Sequence, residues 1–163
     1  MTGRTPELFG RKIEVTEIKL LALVILLQPV VILSLTAIAI AFPSMTGNSN
    51  PAFHGISQVF YEYVSAYANN GSGFEGLGDN TLWWNLSASV ALLAGRYSVL
   101  IIPVLIAVSL ATKPQAAQSK GSLQIESPTF ALILIGIVLI LTLLQFMPVL
   151  VIGPIADYLS IKV

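Results

Sequence analysis

Residues 55–78 read GISQVFYEYVSAYANNGSGFEGLG. Gly55 to Ala68 is made of aromatic and small residues around a single acid, Glu62. As a helix rising about 1.5 Å per residue it would be roughly 21 Å long. That is too short to cross the roughly 30 Å of hydrocarbon in a bilayer. Asn69 to Gly78 then brings four glycines and two consecutive asparagines. A short apolar helix, a glycine-rich turn and a long apolar stretch together have the layout of a re-entrant pore loop. Such non-helical backbone survives at membrane depth only where protein buries it or where it lines a watery cavity. Two plainer readings fit the same composition. A Gly/Asn/Ser run is commonly a simple turn, and a short apolar helix can lie flat in the interface.

The surrounding sequence makes the membrane setting firm. Charged residues are 10% of the 163, against roughly 25% in soluble domains. Hydrophobic residues are 55%, and mean hydropathy is +0.84. Eight basic and eight acidic side chains cannot cover a soluble surface of this size. Their zero balance excludes a broad basic nucleic-acid face. There is no cysteine, which excludes disulfides, thiolate metal sites and thiol nucleophiles.

The gaps between charges draw the topology. Leu20 to Tyr61 and Ser127 to Ala156 carry none, and Arg96 stands alone between Asp79 and Lys113. Three stretches are long enough to span: residues 20–42, 81–111 and a final helix within 128–163, the last opened by Ser127-Pro128 as cap and first turn. Pore helix 55–68 and filter loop 69–78 complete a span–pore-loop–span unit over residues 20–111. A lead-in of residues 1–19 precedes it, and a loop of residues 112–127 follows. Lysine and arginine are retained on the cytoplasmic side. Residues 1–19 and the 112–127 loop carry them, and residues 43–80 carry none. The N-terminus is therefore expected inside and the C-terminus outside. A polar, mixed-charge segment ahead of the first span is unlike a signal peptide. In that segment Thr5-Pro6-Glu7 reads as a capped helical turn, with Glu7 and Arg11 as an i,i+4 pair on a solvated face.

The chemistry open to the 69–78 loop is cation coordination. Backbone carbonyls can replace the hydration shell of a potassium ion if the chain turns its oxygens inward. Glycine permits the dihedrals this needs, and the preceding helix would aim its negative end at the ion. Asn69 and Asn70 could lend amide oxygens or brace the loop. Arg96, about 22 Å into the second span, is costly in lipid. It is expected against protein, as a barrier to cations or a contact with a partner. The plain alternative is a side chain snorkelling to the interface. His54, the sole histidine, lacks companions for a metal site and fits a polar contact at the start of the pore helix. Glu62 is expected to make a structural hydrogen bond among Tyr61, Tyr63 and Tyr67. Trp83 and Trp84 are expected as interfacial anchors. Glu75 and Asp79 read as solvated loop acids, with cation steering as the alternative. No phosphate-binding loop, calcium loop, Ser-His-Asp grouping or Asp-Lys-Thr-Gly phosphorylation motif occurs. Nothing points to an enzyme in this chain alone.

Several separated motifs carry a resemblance to one family. Met1-Thr2-Gly3-Arg4-Thr5-Pro6-Glu7 and Gly10-Arg11-Lys12-Ile13-Glu14 look like its cytoplasmic segment. Asn50-Pro51, His54-Gly55, Asn69-Asn70-Gly71-Ser72-Gly73-Phe74 and Gly76-Leu77 look like its fourth pore region. Gly95-Arg96-Tyr97, Ile102-Pro103 and Gly153-Pro154-Ile155-Ala156-Asp157-Tyr158-Leu159 look like its last two spans. In these the sequence resembles the C-terminal portion of the potassium-transporting ATPase A chain, the KdpA family.

The resemblance implies an all-α membrane protein of the potassium-transporter superfamily. This chain would be one repeat plus a final helix: three transmembrane helices with a re-entrant pore helix and filter loop. Asn69, Asn70, Gly71 and Ser72 would form the fourth filter strand, with Gly71 its central glycine. The resemblance implies potassium bound from the outer side of a bacterial inner membrane and passed to an ATP-hydrolysing B subunit. Small C and F subunits and the remaining A-chain repeats would be the other protein partners. No cofactor is implied, potassium being the cargo and no other metal expected. With three filter strands missing, the expectation is a fragment, a split-gene product or a partial chain. Two alternatives are a stand-alone homotetrameric pore subunit and a non-transporting membrane scaffold.

Overall fold

A computed structural model describes residues 7–50, 55–115 and 127–161. His54, Thr5-Pro6 and most of the 112–127 loop, with their expected roles, lie outside the described residues. Four helices account for most of the rest: α1 (Val15–Ala41), α2 (Gly55–Ala68), α3 (Leu82–Ala111) and α4 (Pro128–Ile161). A short 3-10 turn, Pro43–Met45, follows α1. At 27, 30 and 34 residues, α1, α3 and α4 are long and apolar enough to cross a membrane. The 14-residue α2 is not. The chain is an all-α membrane protein.

Each long helix starts where a side chain satisfies its free backbone donors. The Glu17 carboxylate accepts from Glu14 N–H (2.8 Å), so α1 begins at Val15, ahead of the purely apolar stretch. Thr81 Oγ1 accepts from Trp84 N–H at the start of α3 (3.3 Å). Ser127 Oγ accepts from Phe130 N–H at the start of α4 (3.2 Å), with Pro128 in the first turn.

The core lies where α2 is wedged between α1 and α3. Ile32 and Ala39 of α1, Val59, Phe60, Tyr63 and Tyr67 of α2, and Trp84 and Ala91 of α3 form one buried cluster. Lipid is as apolar as leucine, so such helices are held by close packing and hydrogen bonds between them. Tyr63 donates to Ser87 Oγ (3.0 Å), and its ring lies 5.2 Å from that of Trp84. Trp84 is 2% exposed and its indole donates to Thr46 O (2.8 Å). This corrects the expectation of an interfacial anchor. The indole N–H finds its partner in the turn after α1, so the ring turns inward. Trp83 packs against the same cluster.

Most of α4 is exposed along this chain, and it touches α2 through the edge-on rings of Phe146 and Phe60. A polar contact ties it to α1: Gln145 Nε2 donates to Ile25 O (2.9 Å). Ile25 is four residues before Pro29, which has no N–H to offer that carbonyl. The glutamine of another helix supplies the missing donor.

The lead-in also differs from expectation. Glu7–Leu8 and Arg11–Lys12 are two short antiparallel strands, β1 and β2, with Leu8 opposite Arg11. Phe9 and Gly10 make the two-residue turn with φ of 50° and 70°. Positive φ at both central residues suits a tight hairpin, and Gly10 adopts it without steric cost. Glu7 and Arg11 therefore lie on neighbouring strands and not on one helical face. The Arg11 guanidinium reaches across to Leu110 O at the end of α3.

Candidate filter loop

The loop begins where α2 runs out of helical backbone. Asn69 takes a left-handed conformation (φ 58°), its N–H bonded to Ala66 O, and Gly71 takes another (φ 76°). Asparagine is one of the few residues that accept this conformation readily, and glycine does so freely. Two such residues close together turn the chain sharply away from the helix C-terminus. A Cβ built on Gly71 would meet nothing within 4 Å, so that side of the strand is open.

The back of the strand is tied to α2 by neutral groups. Ser65 Oγ donates to Ser72 O and lies 2.5 Å from Asn70 Oδ1. Asn70 Oδ1 also accepts from Ser72 N–H (2.9 Å) and Ser72 Oγ (3.0 Å). Tyr61 hydroxyl lies 2.8 Å from Ser72 Oγ. Each hydroxyl proton has a use if Tyr61 donates to Ser72, Ser72 to Asn70 and Ser65 to the Ser72 carbonyl. Among the described residues, no hydrogen bond is made to the carbonyl oxygens of Asn69, Asn70 or Gly71.

The foot of the loop is pinned to α3. Asn69 Nδ2 donates to Tyr67 O (2.9 Å) and Leu92 O (3.3 Å), while Asn69 Oδ1 accepts from Arg96 Nε (2.8 Å). Arg96 is exposed along this chain and not buried within it. Gly95 beside it meets the end of α2 so closely that a Cβ would lie 2.0 Å from Tyr67 O. No side chain fits there unless α2 and α3 separate.

Beyond the strand, Gln58 is fully buried and its Nε2 donates to Ser49 Oγ (3.0 Å) and Glu75 O (3.3 Å). Gly78 N–H bonds to Gly47 O (3.3 Å), closing the loop against the chain that leaves α1. A cavity of about 370 Å³ lies between α2, the loop and α3, lined in part by Glu62, Ser65, Gly71, Ser72 and Asp79. Glu62 Oε2 is buried and finds no hydrogen-bond partner among the described residues. Burial raises the Glu62 carboxyl from its ordinary pKa, with the Asp79 charge adding to the shift. A Cβ on Gly73 would lie 3.4 Å from Glu62 Oε2 and 3.7 Å from Asp79 Oδ2, so both acids face this glycine.

The four residues expected to form the strand, Asn69, Asn70, Gly71 and Ser72, thus share one turn, and Arg96 joins them through Asn69. Sequence reasoning passed over Ser65 and Tyr61. Their i,i+4 spacing, which sets two hydroxyls on one face of α2, was the available signal.

A second polar cluster lies at the other end of α3. Lys113 Nζ is 2.7 Å from Glu17 Oε2 and 3.1 Å from Glu14 Oε2, and donates to Lys12 O (3.3 Å). Ser109 Oγ donates to Glu17 Oε1. The Glu17 carboxylate holds the Lys113 ammonium above its ordinary pKa.

A family model described as the potassium-transporting ATPase A subunit matches residues 1–159. Three curated proteins named potassium-transporting ATPase potassium-binding subunit are similar. That of Nostoc sp. is 56% identical over 158 residues, covering 96% of this chain and 28% of that protein. That of Gloeobacter violaceus is 51% identical over 160 residues, covering 98% and 28%. That of Geobacillus kaustophilus is 50% identical over 163 residues, covering 99% and 29%. The chain therefore spans under a third of the length of these relatives.

Proposed function

The chain belongs to the potassium-transporting ATPase A-subunit (KdpA) family, and on that premise we propose that it supplies one strand of a potassium-selective filter. The observation that carries the reading is the turn at Asn69–Gly71. It follows directly on the C-terminus of α2 and leaves three consecutive carbonyls without hydrogen bonds among the described residues. Free carbonyl oxygens are the ligands that replace water around potassium. The partial negative charge at the end of α2 favours a cation at this place. In this reading α2 is a re-entrant pore helix, and Asn69, Asn70, Gly71 and Ser72 form the filter strand. Arg96 sets a positive barrier beneath the strand.

One strand cannot enclose an ion. The other strands would come from the rest of a longer A chain, as the length of the relatives supports. The ion would enter from the outer side, lose water to the carbonyls and pass to an ATP-hydrolysing B subunit, with C and F subunits in the same complex. The three spans and the lysine- and arginine-free 43–80 segment support an inside N-terminus and an outside C-terminus.

The test is a full-length chimera in which these 163 residues replace the matching stretch of the Nostoc relative, expressed with its partner chains. Potassium uptake that is retained in the chimera and abolished by Gly71→Asp supports the reading. Native uptake in the Gly71→Asp chimera would sink it.

A further inference from the structure

We propose that Tyr61 and Ser65 of α2, acting through Asn70 and Ser72, are positioning residues that set the cation selectivity of the strand. The proposal rests on the filter reading and goes beyond it: it names side chains that touch no ion but decide where the ligands sit.

A filter of carbonyls discriminates between ions by the number, orientation and spacing of its oxygens. Backbone bonds hold only the start of the strand, Asn69 N–H to Ala66 O (3.1 Å) and Asn70 N–H to Ser65 O (3.3 Å), and beyond Asn70 none fixes that spacing. The loop has no strand partner among the described residues, and Gly71 gives it free rotation at its centre. What holds it is the set of hydroxyl and amide bonds from behind. Ser65 captures the carbonyl of Ser72, and Tyr61 captures its side chain. The Asn70 amide oxygen takes both the N–H and the hydroxyl of Ser72, so residues 70–72 form one closed ring of bonds. Ser65 is 3% exposed and cannot exchange these bonds for water without opening the packing of α2. With Ser72 locked onto α2, the free oxygens of residues 69–71 keep a fixed offset from the helix. Without that lock, rotation about Gly71 lets them follow the size of whichever ion enters.

All these groups are neutral, which suits the task. A neutral dipole fixes geometry without adding a full charge to the field at the ion. Tyr61 further braces its own ring edge-on against Phe74 (centroids 5.7 Å apart), so packing against the loop helps to aim its hydroxyl.

The test uses the same full-length chimera in its complex and measures uptake of potassium and rubidium. Ser65→Ala and Tyr61→Phe are each expected to raise the potassium KM about three- to tenfold, the effect of losing one or two hydrogen bonds. The maximal rate stays within about twofold, and the preference for potassium over rubidium falls by a similar factor. Because both residues act through Ser72, the double variant is expected to be little worse than the weaker single one. Tyr61→Phe keeps its ring and removes one oxygen, so it reports even if Ser65→Ala assembles poorly. Tyr63→Phe is the control: it removes a comparable bond, to Ser87, on the face away from the loop, and is expected to leave selectivity unchanged.

Native KM and native ion preference in Tyr61→Phe and Ser65→Ala would overturn the proposal. The same loss of preference in Tyr63→Phe would also overturn it, since general loosening would then explain the effect. Failure of the filter reading itself looks different: potassium uptake would then survive Gly71→Asp.

Discussion

Two polar clusters bind α3 to its neighbours, and they are built from different chemistry. Around Asn69–Ser72 the bonds are between hydroxyls, amides and carbonyls, with Arg96 bonded at the foot and Glu62 and Asp79 across the cavity. About 17 residues further along α3, roughly 26 Å of helix, Ser109 and Lys113 meet Glu14 and Glu17 in a knot of formal charges. Ion pairs cost less at a helix end, where Glu14 stays exposed and Lys113 partly so, while the buried Glu17 is matched by Lys113 and Ser109. At membrane depth an unmatched charge is expensive, and beside a cation path it would bind or repel the ion outright. The contrast separates two tasks. In the filter reading the hydroxyls and amides behind the strand fix its position, with Arg96, Glu62 and Asp79 as charges at its edges; the other cluster latches the lead-in hairpin to the end of a span.

The comparison can be broken most forcefully at Gly71. Its φ of 76° suits glycine, and a Cβ there would meet nothing within 4 Å. An aspartate there adds backbone strain of about 1–2 kcal/mol and a carboxylate in the path. Uptake by the chimera is expected to fall at least about a hundredfold, the effect of more than about 2.7 kcal/mol.

Gly95→Ala should have the next largest effect. The added Cβ would lie 2.0 Å from Tyr67 O and 2.9 Å from Tyr67 C, both backbone atoms that cannot swing aside. Overpacking of this kind costs typically about 1–3 kcal/mol. A lowered melting temperature of the purified complex, with potassium KM raised as α2 shifts, is the expected pair of results. An unchanged melting temperature would mean that α2 and α3 do not meet at Gly95.

A smaller loss is expected for Gln145→Leu, which returns the Ile25 carbonyl to an unbonded state beside Pro29. Interhelical hydrogen bonds in membranes are worth about 0.6–2 kcal/mol. Thermal unfolding should shift modestly, while potassium KM stays native, because α4 reaches α2 through Phe60 and not through the loop. A changed ion preference would contradict that separation.

The smallest effect should come from the latch. Glu14→Gln, which removes the exposed acid of the cluster (62% exposed), is expected to lower the melting temperature slightly at about 0.1 M salt, with the difference fading near 1 M as the Debye length shortens from about 10 to about 3 Å. The selectivity change in Tyr61→Phe should not depend on salt. If both clusters respond alike to ionic strength, the division between neutral and charged chemistry fails.

Much of this arrangement was legible in the sequence, because charge placement is a strong constraint in lipid. The gaps at 20–61 and 127–156 announced long apolar helices, and the glycines and paired asparagines after Ala68 announced the turn. What escaped were contacts decided by which face a residue occupies once helices pack. Trp84 looks the same in sequence whether it anchors at an interface or buries its indole against Thr46. Gln145 gave no hint that its partner is a carbonyl freed by a proline 116 residues earlier in the chain. Ser65 and Tyr61 looked like ordinary helix residues, since their meaning depends on a loop folding back over them. The hairpin at Glu7–Lys12 is not legible in the sequence because Glu7 and Arg11 also suit a helix at that spacing; the Phe9-Gly10 turn overrides so weak a preference.

The most direct measurement of the central claim is the ratio of potassium to rubidium uptake by the full-length chimera carrying Tyr61→Phe, beside Tyr63→Phe and the native residues. The account predicts a ratio about three- to tenfold lower in Tyr61→Phe alone, with the maximal potassium rate near native. Equal ratios in all three would contradict it.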